Sequence, residues 1–101
     1  MAMYLTHFKC NYEAWPTDHD AQKAAWSKMI EDANGNVEAG TVSFVGWANN
    51  TEGYALLEAA SKADVIEICA RYWPMFHNEI IELVPGAEAG KAILKGVSEG
   101  W

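Results

Sequence analysis

Between Asp18 and about Ala33, the apolar residues Ala21, Ala25, Trp26, Met29, Ile30 and Ala33 recur three and four positions apart. Gln22, Lys23, Lys28, Glu31 and Asp32 fall between them. That period predicts an amphipathic helix with one face turned to a core. Trp15-Pro16 punctuates the chain before it, and Thr17 with Asp20 three residues on predicts a capping pair at its positive end. Asn34-Gly35-Asn36 predicts the stop, because Gly and Asn tolerate the left-handed conformation that ends a helix. A second stripe, Val65, Ile68, Cys69, Tyr72 and Phe76, follows Ser61 and Asp64, which predict another N-terminus. Pro74 should end or kink this helix near Tyr72.

The remaining apolar segments read as strands. Met3–Cys10 is short and rich in aromatic and β-favouring residues, and Val37–Trp47 alternates and is rich in Val, Thr, Phe and Trp. The turn cluster Asn49-Asn50-Thr51-Glu52-Gly53 leads to a third strand, Tyr54–Ala59, so these two strands predict an antiparallel hairpin. A fourth strand, Asn78–Val84, closes at Pro85-Gly86. Ala87–Leu94 predicts a short last helix before a Gly-rich tail ending at Trp101.

The resulting order is β-α-β-β-α-β with a C-terminal helical extension, an α+β chain of ferredoxin-like order with a four-stranded antiparallel sheet. At 101 residues there is room for one core, so residues 1–101 read as a single domain. Two helices on one face of the sheet leave its other face to explain. Val45, Trp47, Tyr54, Leu56, Ile81 and Leu83 cannot all point at the helices, so part of the second face should be apolar and covered by a second copy. A homodimer is the expected assembly.

Half the residues are hydrophobic, enough to build a core. Seven basic against fourteen acidic residues give a net charge of −7, which opposes binding to nucleic acid and to anionic membranes. No apolar run is long enough to span a bilayer, and Met1-Ala2-Met3-Tyr4 shows no basic segment leading into an apolar one. With Cys10 and Cys69 read as free thiols, a cytoplasmic location is expected.

The strand order, the hairpin ending Gly53-Tyr54-Ala55-Leu56-Leu57-Glu58-Ala59, the helix closing at Trp73-Pro74, the strand leading to Pro85 and the Glu/Ala-containing last helix carry a likeness to a family. Over nearly its whole length the chain resembles the dimeric α+β barrel superfamily and, within it, a small bacterial family of uncharacterised domains. The resemblance implies a barrel formed by two sheets. It also implies a function drawn from cofactor-free monooxygenases, lactone isomerases, polyketide cyclases, haem-dependent enzymes and non-catalytic effector-binding domains, among which fold alone does not choose.

No phosphate-binding loop, dinucleotide fingerprint, Cys-x-x-Cys pair, His-Glu-x-x-His or Gly-x-Ser-x-Gly elbow occurs, so neither a metal nor a cofactor is expected. What remains are polar and aromatic side chains on strands. If Thr6 and Phe8 face the helices, Leu5 and His7 face the lumen. Val42 and Phe44 suit the helix side, leaving Ser43, Val45 and Trp47 opposite. Ala55, Leu57 and Ala59 are small enough to lie under helices, leaving Tyr54, Leu56 and Glu58 opposite. On that register His7, Glu58, Trp47 and Tyr54 share one lumen, with His7 and Glu58 as candidate catalytic groups. Trp47 and Tyr54 would then form flat walls for an aromatic or apolar metabolite. Trp73 and His77, in the densest aromatic segment, are further candidate ligand contacts at the cavity mouth.

Two functions are therefore expected in competition. One is an enzyme of the monooxygenase, isomerase or cyclase kind acting on a small apolar or aromatic metabolite. The other is a non-catalytic dimeric module that binds such a molecule or regulates a partner.

Overall fold

A computed structural model describes residues 1–100, so Trp101 lies outside the described residues. The elements run β1 (Ala2–Cys10), α1 (His19–Glu38), β2 (Phe44–Trp47), β3 (Glu52–Ala59), α2 (Lys62–Ala70), β4 (Phe76–Leu83) and α3 (Gly86–Glu99), with a 3-10 turn at Tyr12–Ala14. The protein is thus an α+β chain whose four strands form one open antiparallel sheet in the order β2-β3-β1-β4.

Alternation assigns the two faces of the sheet. Tyr4, Thr6, Leu57, Ala59 and Phe76 are buried, and Val65 of α2 is fully enclosed above them. With Tyr4 opposite Leu57, Thr6 opposite Ala55 and Ile80, and Phe8 opposite Gly53 and Asn78, these residues form the helix-covered face. Met3, Leu5, His7 and Lys9 alternate onto the other face with Tyr54, Leu56 and Glu58 of β3 and His77, Glu79, Ile81 and Leu83 of β4. Among the described residues no element covers that open face, and Phe44, Tyr54, Ile81 and Leu83 are exposed on it. The expected facing of β1 and β3 holds.

The facing of β2 is reversed. Val45 and Trp47 point to the helices and Phe44 to the open side. Val42 is buried as expected, but it precedes the strand in an irregular stretch, so its parity does not carry forward. The expected strand over Val37–Trp47 shrinks to Phe44–Trp47 because α1 runs on through Asn34-Gly35-Asn36 to Glu38. One helical glycine costs only about 1 kcal/mol. The chain turns instead at Gly40, whose φ of +78° supplies the left-handed residue beyond the helix end. At the other end Asp18, not Thr17, is the cap, its carboxylate accepting the Ala21 N–H at 2.9 Å. Ser61 caps α2 by accepting from the Asp64 N–H, as its position predicts.

Pro74 stops α2 early, and Phe76, expected on that helix, opens β4. The intervening loop is tied to the end of β1: Asn11 Nδ2 donates to the Pro74 carbonyl at 3.0 Å and the Trp15 indole donates to the Met75 carbonyl at 3.2 Å. The last helix is longer than the expected Ala87–Leu94 and projects from the body. The radius of gyration is 17.1 Å, against about 13 Å for a compact chain of this length.

Candidate functional site

An apolar concavity lies between the helix layer and the covered face of the sheet. Strand parity places Thr6, Phe8, Trp47 and Phe76 on its floor, and Met29 of α1 and Ile68 of α2 reach it from above. It measures about 70 Å³, and its walls are almost wholly apolar. The gap exists because α1 is loosely seated. None of its residues is buried; its backbone approaches the sheet mainly along β2, and Trp26 reaches Phe76 of β4. Its anchor is aromatic: Trp26 stacks on Trp15 with ring centroids 4.3 Å apart and approaches Trp47 at 5.8 Å.

Polar atoms are few in this space. Thr6 is 2% exposed, and its hydroxyl makes no hydrogen bond among the described residues. Thr6 lines the cavity, and among the described residues no fully enclosed side-chain polar atom is left without a partner. Asn78 lines the same floor. Opposite, Asn36 donates from Nδ2 to the Tyr72 hydroxyl at 2.7 Å, joining the C-terminal half of α1 to the turn after α2. Cys69 completes the lining polar set.

Burial pushes the Cys69 thiol up from its ordinary range. Burial also raises Tyr72, and the bond from Asn36 offsets part of that rise. Both groups are therefore neutral at physiological pH. The folded chain holds these protons more tightly than the unfolded chain, in which a thiol titrates near 9.0 and a phenol near 10.0. Their contribution to stability is intact below those values and is lost as pH rises through the folded-state pKa values. Urea denaturation should show a midpoint that falls between pH 8 and pH 10.5, with a shallower fall in Cys69→Ala. An equal slope in the variant would remove Cys69 from this account.

The residues expected in one lumen divide among three places. His7 and Tyr54 do meet on the open face, their rings stacked at 4.5 Å and 11°. The carboxylates beside His7 are Glu52, at 3.3 Å from Nε2, and Glu79, at 4.0 Å from Nδ1, with Lys9 at 3.6 Å from Glu79. Glu58 shares that face but pairs with Met3, four residues along β3 from Tyr54 and so about 13 Å away. Trp47 is on the opposite side of the sheet, in the cavity wall. Trp73 and His77 approach each other edge to face at 5.1 Å, away from the cavity lining.

Sequence reasoning missed Thr6, Asn36, Tyr72 and Asn78 as a set. Thr6 is a β-branched residue at a core-facing strand position, where a hydroxyl usually signals nothing. Asn36 was read as a helix stop, although it lies on the same helical face as Met29 and Ala33. Among the described residues no group of three or more His, Cys, Asp or Glu side chains is placed to hold a metal ion, and no helix is long and apolar enough to cross a membrane. No protein-family model matches the chain and no curated protein matches it, so the site is carried by its own geometry on an α+β chain with a four-stranded antiparallel sheet.

Proposed function

We propose that the protein binds a small, neutral, mostly apolar or aromatic metabolite in the cavity between its helices and its sheet. The observation that carries this is the apolar cavity itself, in which Thr6, 2% exposed and without a side-chain hydrogen bond among the described residues, lines a space walled by Phe8, Trp47 and Phe76. Apolar walls with one or two fixed polar groups are the ordinary make-up of a small-molecule site. The cavity is about half the size of a dry one that accepts benzene, so it suits about three heavy atoms at rest. Larger rings enter as α1, which has no buried residue, gives way.

Binding is favoured over turnover because the lining residues include no carboxylate and no imidazole, and the thiol and phenol are held neutral. The enzymatic reading retains one observation in its favour, the His7 cluster with Glu52, Glu79 and Tyr54. Base catalysis there would use His7 with Glu52, not Glu58, and would need a cover over the open face. The ferredoxin-like assignment is supported by the βαββαβ order with β1 and β3 at the centre of the sheet. The dimeric barrel is supported by the exposed Phe44, Tyr54, Ile81 and Leu83 on the open face, an apolar surface suited to a second copy.

Isobutanol, with five heavy atoms and one hydroxyl, is a fitting probe because it needs α1 to give way only slightly. Titration into ¹⁵N-labelled protein should shift the amides around Thr6, Asn36 and Asn78, with a Kd of about millimolar, as expected for so few atoms. Thr6→Val keeps the shape and removes the hydroxyl, and should weaken binding about five- to tenfold. Ala33→Leu should fill the space and abolish binding, while His7→Gln should leave it unchanged. Shifts confined to His7 and Tyr54, or none at all, would overturn the cavity reading.

A further inference from the structure

The C-terminal helix has no established purpose in a cavity that it does not line. α3 has no substantial packing with any other element of the described chain. Yet Ile93, Leu94 and Val97 lie within about 100° of one helical face and are 64%, 70% and 74% exposed. A solvated helix with such a stripe is marginal alone and needs a surface to cover it.

We propose that α3 is an exchanged arm whose Ile93–Leu94–Val97 stripe packs against the open sheet face of a second copy of this chain. This rests on the reading that the open face is where two copies meet. Area favours that occupant. Four strands about 4.8 Å apart and at most about 26 Å long offer a footprint of roughly 450–500 Å², short of the ~800 Å² per partner that a stable interface takes. A fourteen-residue helix adds a stripe about 21 Å long, roughly 200 Å² more from each chain. Sheet and arm together approach what neither supplies alone.

Charge favours it as well. Two copies at −7 each repel, but in α3 Glu88 and Glu99 offset Lys91 and Lys95, so the arm brings no net charge to the contact. Lys91 flanks the stripe, and the open face carries Glu58 and Glu79 for it to approach. The root of the arm also suits exchange: β4 passes into α3 through Val84 and Pro85 alone, at the end of the sheet where Leu83 and Met3 are paired.

Sedimentation equilibrium on the full chain is the test, with Leu94→Glu on the arm and Leu56→Glu on the sheet face. Both should weaken the dimer at least about tenfold while far-ultraviolet circular dichroism stays unchanged. In a chain with Cys10→Ala and Cys69→Ala, mixing a Leu94→Cys chain with a Leu56→Cys chain should give a disulfide-linked heterodimer on mild oxidation. A dimer weakened by Leu56→Glu but not by Leu94→Glu, with no cross-link, would overturn the arm and leave the sheet-face dimer standing. A dominant 94-to-94 cross-link would assign α3 to its own copy in the partner and overturn the proposal. A monomer at all concentrations, or a monomer that binds phosphatidylcholine vesicles through α3, would overturn both arm and dimer.

Discussion

Phe76→Ala should cost about 3–5 kcal/mol of folding stability, enough to leave a small domain only marginally folded. Phe76 is 3% exposed and stands at the junction of three elements. Its ring meets Phe8 of β1 edge-on at 5.6 Å, Trp15 before α1 at 5.7 Å, and Trp26 of α1 at 6.0 Å. Edge-to-face pairs add to the transfer free energy of the ring, so truncation loses both terms and leaves a void. The loss should exceed that of an ordinary core truncation because α1 has little else to hold it. None of its residues is buried, and Trp26 is its main contact with the aromatic cluster. The urea midpoint should fall sharply. Hydrogen exchange should rise first in α1, ahead of β1 and β3. A loss below about 1 kcal/mol would show that α1 is anchored elsewhere.

How far the chain could be read in advance follows from where local rules act alone. β1 and β3 were legible because each is an unbroken alternation with small or β-branched residues, Thr6, Ala55 and Ala59, set under the helices. β2 was not, since its alternation crosses an irregular stretch at Thr41–Ser43. There Ser43 donates its N–H to the Leu56 carbonyl at 2.8 Å just outside the strand. One residue of slippage moved Trp47 from the expected lumen to the cavity wall. The end of α1 was misplaced for a different reason. Gly and Asn permit a helix stop without compelling one, and the Asn36–Tyr72 bond is a tertiary contact that no local pattern encodes. The same holds for the candidate site. His7 and Tyr54 could be paired from strand parity, whereas the partners of His7 depend on register, which brought up Glu52 and Glu79 and left Glu58 far along the strand. The helix-layer cavity was invisible because it is a failure of packing, and packing is a property of the whole chain.

The second large effect belongs to a glycine. Gly53 sits in β3 with Phe8 opposite on β1 and Trp47 opposite on β2, so the two side chains flank a position without one. The Phe8 ring lies across it, and Trp47 meets that ring edge-on at 4.9 Å and 82°. A Cβ built at Gly53 would overlap both the Phe8 ring and the Gly46 carbonyl oxygen. A ring can swing aside, but a carbonyl in the neighbouring strand moves only if β2 moves, and β2 is held by four residues. Gly53→Ala should therefore cost about 3 kcal/mol or more, the upper end for an added methyl group, and should detach β2 from the sheet. Gly35→Ala is the matched control, because its Cβ meets nothing and alanine is the better helix former there. It should raise the melting temperature slightly. Trp47 forms part of the cavity wall, so Gly53→Ala should also abolish isobutanol binding at temperatures where the rest of the sheet still resists hydrogen exchange. If Gly53→Ala instead folds with an unchanged urea midpoint, the Phe8 and Trp47 rings do not meet over β3, and the floor of the cavity must be redrawn.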